Sequence, residues 1–266
     1  MTSDSTATPT YDLNDTTTIP EIGLGTYGLT GSAGAESVAS AIGIGYRLID
    51  TAYSYGNEDA VGEGIRRSGI DPAELVVTSK VPNGHHSRDR VLAAFDETMG
   101  RLGLERLDLL LIHWPEPQDG LYVEAWKTLV ELQRQGRVRS IGVSNFDAKQ
   151  LDEVIEATGV TPAVNQVPVD LLHQNRAARE TDSLCGILTE SYSPLKHADE
   201  AAKHPEFARV AADHGVTTNQ LILRWHIQSG LLPIPRSRSA EHQKENFGAL
   251  DFTLNPEELA RLAAIA

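Results

Sequence analysis

Residues 107–114 read LDLLLIHW, and residues 75–81 read LVVTSKV. Neither alternates apolar with polar as a half-exposed strand would. Their near-continuous apolarity belongs to strands covered on both faces, as in a parallel sheet flanked by helices. Working outward, similar runs recur at 19–25 (IPEIGLG), 46–52 (YRLIDTA), 139–145 (RSIGVSN), 163–169 (AVNQVPV), 186–193 (GILTESYS) and 231–237 (LLPIPRS), eight in all. Helical periodicity fills the gaps: Leu92, Phe95, Met99 and Leu102 share one face, as do Trp126, Leu129, Val130 and Gln133. Asp71-Pro72 and Ser87 resemble helix starts, while Gly45, Gly103, Gly136, Gly159, Gly215 and Gly230 stand where helices should stop. Eight strand–helix units without a linker predict a single-domain α/β fold, a (β/α)8 TIM barrel over 11–266. A Ser/Thr-rich stretch at 1–10 is expected to be a flexible tail. In such a barrel the chemistry sits at the C-terminal ends of the strands.

Composition narrows the function classes. The 266 residues carry 37 Asp+Glu against 23 Lys+Arg, a formal charge of −14. That balance argues against a nucleic-acid partner, whose phosphates need clustered cations, yet it leaves room for a local cationic pocket. A lone Cys185 excludes an internal disulfide framework and a thiolate zinc cluster. No apolar run approaches the roughly 20 residues that cross a bilayer. The opening MTSDSTATPT lacks the basic start and apolar stretch of a signal peptide. A cytoplasmic protein with no membrane partner is expected.

The strand ends carry the chemistry. The second run leads to Asp50 and, through Ala52-Tyr53-Ser54, to Tyr55; the third ends at Lys80 and the fourth at His113. Taken singly, these read as a cap, a rim aromatic, a solvated stem and a satisfied polar group. Four at neighbouring strand ends form a chemical set. An ammonium beside a phenol favours the phenolate and helps the hydroxyl to donate a proton. A buried lysine needs a carboxylate to stay cationic. A neutral imidazole can orient a carbonyl oxygen. The set suits protonation of the alkoxide formed when hydride reaches a carbonyl carbon.

DTAYSYGNE (50–58), TSKV (78–81) and LLLIHWP (109–115) resemble the catalytic segments of the aldo-keto reductase superfamily. SNF (144–146), NQV (165–167), YSPL (192–195) and IPRS (234–237), with Glu245-Asn246, resemble its cofactor segments. The similarity spans roughly Tyr11 to Leu254 and leans toward the bacterial reductases of diketogluconate and related small carbonyl compounds. It implies an NADP-dependent reductase of aldehydes and ketones, with Asp50, Tyr55, Lys80 and His113 as its catalytic tetrad. Tyr55 matches the general acid, and Tyr53 falls outside the Tyr-Gly-Asn-Glu pattern. Tyr27, Trp114, Tyr55 and His113 match substrate-facing positions. Gly25, Thr26 and Asp50 match the first cofactor-facing strand ends. Ser144, Asn145 and Gln166 match residues that hold the nicotinamide carboxamide, and Tyr192 the aromatic stacked on its ring. Ser193, Pro194 and Leu195 match the pyrophosphate path, and Ile234, Pro235, Arg236, Ser237 and Arg238 the 2′-phosphate loop. Glu245 and Asn246 match the adenine end. No metal is implied, and a monomer is the family expectation.

Several positions depart from the family pattern. His242 stands where many members have a second arginine, so NADPH preference with some use of NADH is expected. Pro82 replaces a common tryptophan and should leave one pocket wall smaller. The chain stops at Ala266, where many relatives continue into a loop over the pocket, and a more open site is expected.

Other readings compete. Gly23-Leu-Gly25-Thr-Tyr-Gly28, with Asp50 further on, imitates the dinucleotide fingerprint of a doubly wound sheet, but LTGS after Gly28 does not open a helix tightly. Glu190 on the seventh run could serve a barrel glycosidase, though the fourth run ends in His-Trp rather than an acid. A non-enzymatic cofactor-holding role would not need all four tetrad positions. His85-His86 reads as a polar loop, since adjacent rings cannot readily share one ion.

Overall fold

The computed structural model describes residues 8–265. Residues 1–7 of the expected tail and Ala266 therefore lie outside the described residues, and Thr10 already opens a strand. Strands β1 (Thr10–Asp12) and β2 (Thr18–Pro20) pair antiparallel as a small ribbon. The barrel follows with β3 (Leu24–Gly25), β4 (Leu48–Asp50), β5 (Val76–Val81), β6 (Leu107–Ile112), β7 (Val138–Ser144), β8 (Val164–Pro168), β9 (Leu188–Tyr192) and β10 (Leu232–Ile234), neighbours in chain order. All seven pairings between them are parallel. The run at 19–25 is thus divided: its first half joins the ribbon, its end the barrel.

The ring closes between β3 and β10. Gly23 N–H donates to Pro233 O and Gly25 N–H to Pro235 O, each at 3.0 Å. Side chains cannot fit this seam. A Cβ on Gly23 would come 2.7 Å from Leu48, and one on Gly25 would come 2.9 Å from the Ile234 carbonyl oxygen. These glycines serve barrel closure, which removes the doubly wound reading.

Helices α1 (Gly31–Ile44), α2 (Glu58–Ser68), α3 (Arg88–Leu102), α4 (Tyr122–Arg134), α5 (Ala148–Thr158) and α6 (Arg176–Leu184) each follow a barrel strand. Helices α7 (Ala198–Ala201), α8 (Pro205–His214) and α9 (Thr218–Gln228) lie between β9 and β10, and α10 (Ala240–Phe247) and α11 (Pro256–Ala263) follow β10. Left-handed glycines end α3, α5 and α8 at Gly103, Gly159 and Gly215. Asp71-Pro72 opens a single 3-10 turn, Pro72–Glu74, instead of an α-helix. Among the described residues, no helix is long and apolar enough to cross a membrane.

Alternation along the strands builds the interior. Leu109 and Leu111 of β6 join Leu48, Val164, Leu232 and Ile234 inside the barrel, while Leu110 and Ile112 pack outward with Trp126 and Leu129 of α4. The same parity turns Asp50, Lys80, Gln166 and Glu190 inward, nearer the C-terminal rim. The ribbon seals the opposite end. Tyr11 donates its hydroxyl to Ile227 O at 2.8 Å, Asn14 Nδ2 donates to Pro162 O at 2.8 Å, and Thr17 Oγ1 meets Ser140 Oγ at 2.8 Å. One end of the barrel is closed by chain, so the other carries the cleft.

Candidate active site

The centre of the cleft is a buried charge. Lys80 on β5 has 1 % exposure, and its Nζ donates to Asp50 Oδ1 at 2.8 Å, Asp50 Oδ2 at 2.7 Å and Thr51 O at 2.8 Å. Burial alone would strip the ammonium of its proton, but Asp50 and the Tyr55 oxygen hold its pKa above the usual lysine value. Gln166 Nε2 adds a third hydrogen bond to the Asp50 carboxylate, reaching Oδ2 at 2.9 Å.

Tyr55 lies above this pair, its ring centroid 5.1 Å from Lys80 Nζ. A 3-10 turn, Tyr53–Tyr55, presents it, and Gly56 leaves that turn with a left-handed φ of 61°. Buried Asn57 anchors the segment by accepting from Thr51 Oγ1 at 2.9 Å and donating to Thr26 O at 2.8 Å. Glu58, also buried, accepts from Ser79 Oγ at 2.6 Å and pairs with Arg101 at 3.3 Å. Tyr53 turns away, its hydroxyl donating to Glu97 at 2.7 Å beneath Arg101. Burial raises the Tyr55 pKa, Lys80 lowers it and Asp50 raises it, with a net rise. Lys80 acts in the expected sense but does not outweigh burial, so the free phenol is protonated at neutral pH.

His113 follows β6, with its ring 5.8 Å from that of Tyr55 at 76°. Burial, then the Lys80 charge, pushes its pKa down to about 4. The imidazole is neutral, and its buried Nδ1 has no protein partner. Tyr27 and Trp114 flank the mouth, 65 % and 44 % exposed; Tyr27 meets the Tyr55 ring edge-on at 5.1 Å.

These side chains line a cleft of about 330 Å³ together with Gly25, Thr26, Ser144, Asn145, Gln166, Tyr192, Ser193, Ile234 and Arg236. One wall is an interlocked set. Ser144 Oγ donates to Gln166 O at 2.8 Å, Asn145 Nδ2 to Ser144 Oγ at 2.9 Å and to His113 O at 3.2 Å, and the Tyr192 hydroxyl to Asn145 Oδ1 at 3.1 Å. Asn145 and Ser193 take left-handed φ values of 62° and 54°, turning the chain sharply at the ends of β7 and β9.

The remaining expected residues lie beyond this lining. Pro194 is buried and Leu195 half-buried behind Ser193; Pro235 is buried beside the seam. Ser237 and His242 belong to the entry of α10, where Ser239 Oγ accepts from the His242 amide at 3.4 Å and the Ser239 amide donates to Ser237 Oγ at 3.1 Å. Glu245 accepts from Thr217 at 2.7 Å, and Asn246 is buried with an unpartnered Oδ1. Arg236 and Arg238 donate only to backbone, at Tyr27 O (3.4 Å) and Gly28 O (2.7 Å), and pair with no carboxylate among the described residues. Pro82, expected to leave one wall of this cleft smaller, lines a neighbouring depression with Tyr53 and Arg101.

Glu190 was legible only as a glycosidase acid. It is fully buried beside Gln166 in the sheet register, with no hydrogen bond of good geometry to either carboxylate oxygen among the described residues. It cannot flank a sugar from there. Burial and Asp50, opposed by Lys80 and the neighbouring Gln166 amide, push its pKa up to about 8. The inward parity of β9 was the available signal.

Fold and site together define a barrel enzyme that works at its strand ends. The family model for the aldo/keto reductase family matches residues 21–266. The chain is 41 % identical over 257 residues to 2,5-diketo-D-gluconic acid reductase B of a Corynebacterium species, covering 97 % of this chain and 93 % of that one. The crystal structure of an aldo/keto reductase from Brucella melitensis superposes with a TM-score of 0.93 at 38 % identity, covering 98 % of this chain and 100 % of that one. A Bombyx mori aldo-keto reductase crystallised with NADP superposes with a TM-score of 0.90 at 32 % identity, over 97 % of this chain and 92 % of that one. The chain belongs to the aldo/keto reductase family.

Proposed function

We propose that this protein reduces aldehydes and ketones to alcohols with NADPH, with Tyr55 as the proton donor. One observation carries the reading: a buried lysine, neutralised by Asp50, lies 5.1 Å from the ring of Tyr55, which shares a cleft with a neutral His113. A protonated phenol is the form that can donate. When its proton passes to the alkoxide, the Lys80 charge stabilises the phenolate left behind, and Asp50 keeps Lys80 cationic in its dry setting. His113 orients the carbonyl by donating one imidazole N–H to its oxygen.

The cleft fits the cofactor. Ser144, Asn145 and Gln166 offer amide and hydroxyl groups along one wall, and the Tyr192 ring is pinned by its bond to Asn145. Arg236 and Arg238, free of carboxylates, would hold the 2′-phosphate as planar charge-assisted donors. Ser193, Pro194 and Leu195 would follow the pyrophosphate; Ser237, His242, Glu245 and Asn246 would serve the adenosine end, where Asn246 has an oxygen to offer. The bound nicotinamide supplies the hydride. His242 in place of a second guanidinium leaves room for NADH. The working unit is the barrel of 11–266, a monomer in a reducing cytoplasm, a setting supported by the lone Cys185.

Initial rates on a panel of aldehydes, ketones and glycosides, read by NADPH absorbance and released sugar, test this reading. Carbonyl-dependent NADPH oxidation is expected. Glycoside hydrolysis without it would overturn the proposal.

A further inference from the structure

We propose that Asp170, His173 and His197 form a binding site for a divalent transition ion of the Zn2+ type. The three residues come from two loops at the C-terminal face. Asp170 and His173 follow β8, and His197 sits immediately before α7, beyond the end of β9. One donor atom from each lies within 4.8 Å of the others.

The spacing is close to that of a ligand set, with the two short carboxylate contacts made by different oxygens of Asp170. Asp170 Oδ2 lies 2.9 Å from His197 Nδ1, Asp170 Oδ1 lies 3.3 Å from His173 Nδ1, and the two Nδ1 atoms are 3.2 Å apart. An ion bonded tetrahedrally at ~2.0–2.1 Å separates its donors by about 3.3–3.4 Å. The three groups satisfy one another when one imidazole carries its proton on Nδ1 and the other offers a lone pair there; an ion at the same centre would replace that proton and take three lone pairs.

The carboxylate is already oriented. Its Oδ1 accepts from the Leu172 amide at 2.9 Å and the His173 amide at 3.0 Å, while the Asp170 amide donates to His173 O at 3.2 Å. Partners of this kind fix a ligand's direction and raise metal affinity. The side chains of His173, His197 and Asp170 are 66 %, 27 % and 9 % exposed, so an ion can enter from solvent and keep a water as fourth ligand. Two imidazoles and one carboxylate favour Zn2+, Co2+ or Ni2+ over the all-oxygen preference of Ca2+ and Mg2+. Bound there, the ion ties the β8 loop to the β9 loop.

The inference does not depend on the proposed reaction. Tag-free protein, stripped with a chelator, is titrated at neutral pH with Zn2+ by calorimetry and with Co2+ by visible absorption. One equivalent should bind at micromolar or lower concentration, with a rise in melting temperature. His173→Ala and His197→Ala, both on accessible side chains, should each weaken binding by at least about tenfold, the loss that even supporting partners produce. Failure of Zn2+ to saturate in the micromolar range overturns the proposal. So does one-equivalent binding that survives in the double variant.

Discussion

Replacing Glu190 by Gln isolates the cost of a carboxylate in the dry centre of the barrel. The side chain has 0 % exposure and the change preserves volume, with the neighbouring Gln166 amide the one side chain that donates toward it. Burial, then Asp50, raises the pKa from 4.5 to about 8. The folded protein therefore holds this proton more tightly than the unfolded chain does. The stability this gives is complete below about pH 4.5 and is lost as pH rises through about 8. At ~1.4 kcal/mol per tenfold change, that gap corresponds to on the order of 5 kcal/mol. Gln does not titrate. Urea unfolding from about pH 5 to about pH 9 should show the wild type losing several kcal/mol relative to Glu190→Gln, with the two within about 1 kcal/mol at the acid end. Parallel stability curves over that range would refute the assignment of a protonated, buried Glu190.

Three further outcomes are expected. Tyr55→Phe should lower kcat by about 10²–10⁴-fold, the usual worth of a positioned acid, while NADPH quenching of tryptophan fluorescence persists; wild-type turnover would reject Tyr55 as the donor. Arg236→Ala should raise the KM for NADPH about tenfold or more, from loss of a charge-assisted contact worth ~1.5–3 kcal/mol, and leave that for NADH nearly unchanged; equal shifts would remove the 2′-phosphate assignment. In NMR titration, the His113 imidazole should protonate near pH 4, its stability contribution being present above about 6.5 and lost as pH falls through 4; a midpoint near 6.5 would mean that Lys80 and burial do not act on it.

Much of this was legible because strand parity and chemistry coincide. The apolar runs located every barrel strand, and the residues closing β4, β5 and β6 are the polar groups that converge. The first run misled because IPEIGLG is apolar throughout: Ile19-Pro20 belongs to the ribbon and Leu24-Gly25 to the barrel, a division that only long-range pairing decides. The Tyr55 pKa followed the same logic, since a lysine's pull can be named from sequence but the competing loss of water requires packing. Glu190 could be read only as a strand-end acid of a barrel glycosidase, because its partner layer, Asp50 and Gln166, comes from distant strands. Asp170, His173 and His197 were invisible as a group, because α6 and β9 intervene along the chain.

The ribbon at the start of the chain has a consequence for assembly order. Tyr11, Asn14 and Thr17 fasten onto Ile227, Pro162 and Ser140, all of which leave the ribosome much later. The ribbon is therefore a latch made before its catches exist. Until they emerge, Leu48, Leu109 and Leu111 line an unfinished floor open to water, and this is the interval in which a nascent barrel is most exposed to aggregation.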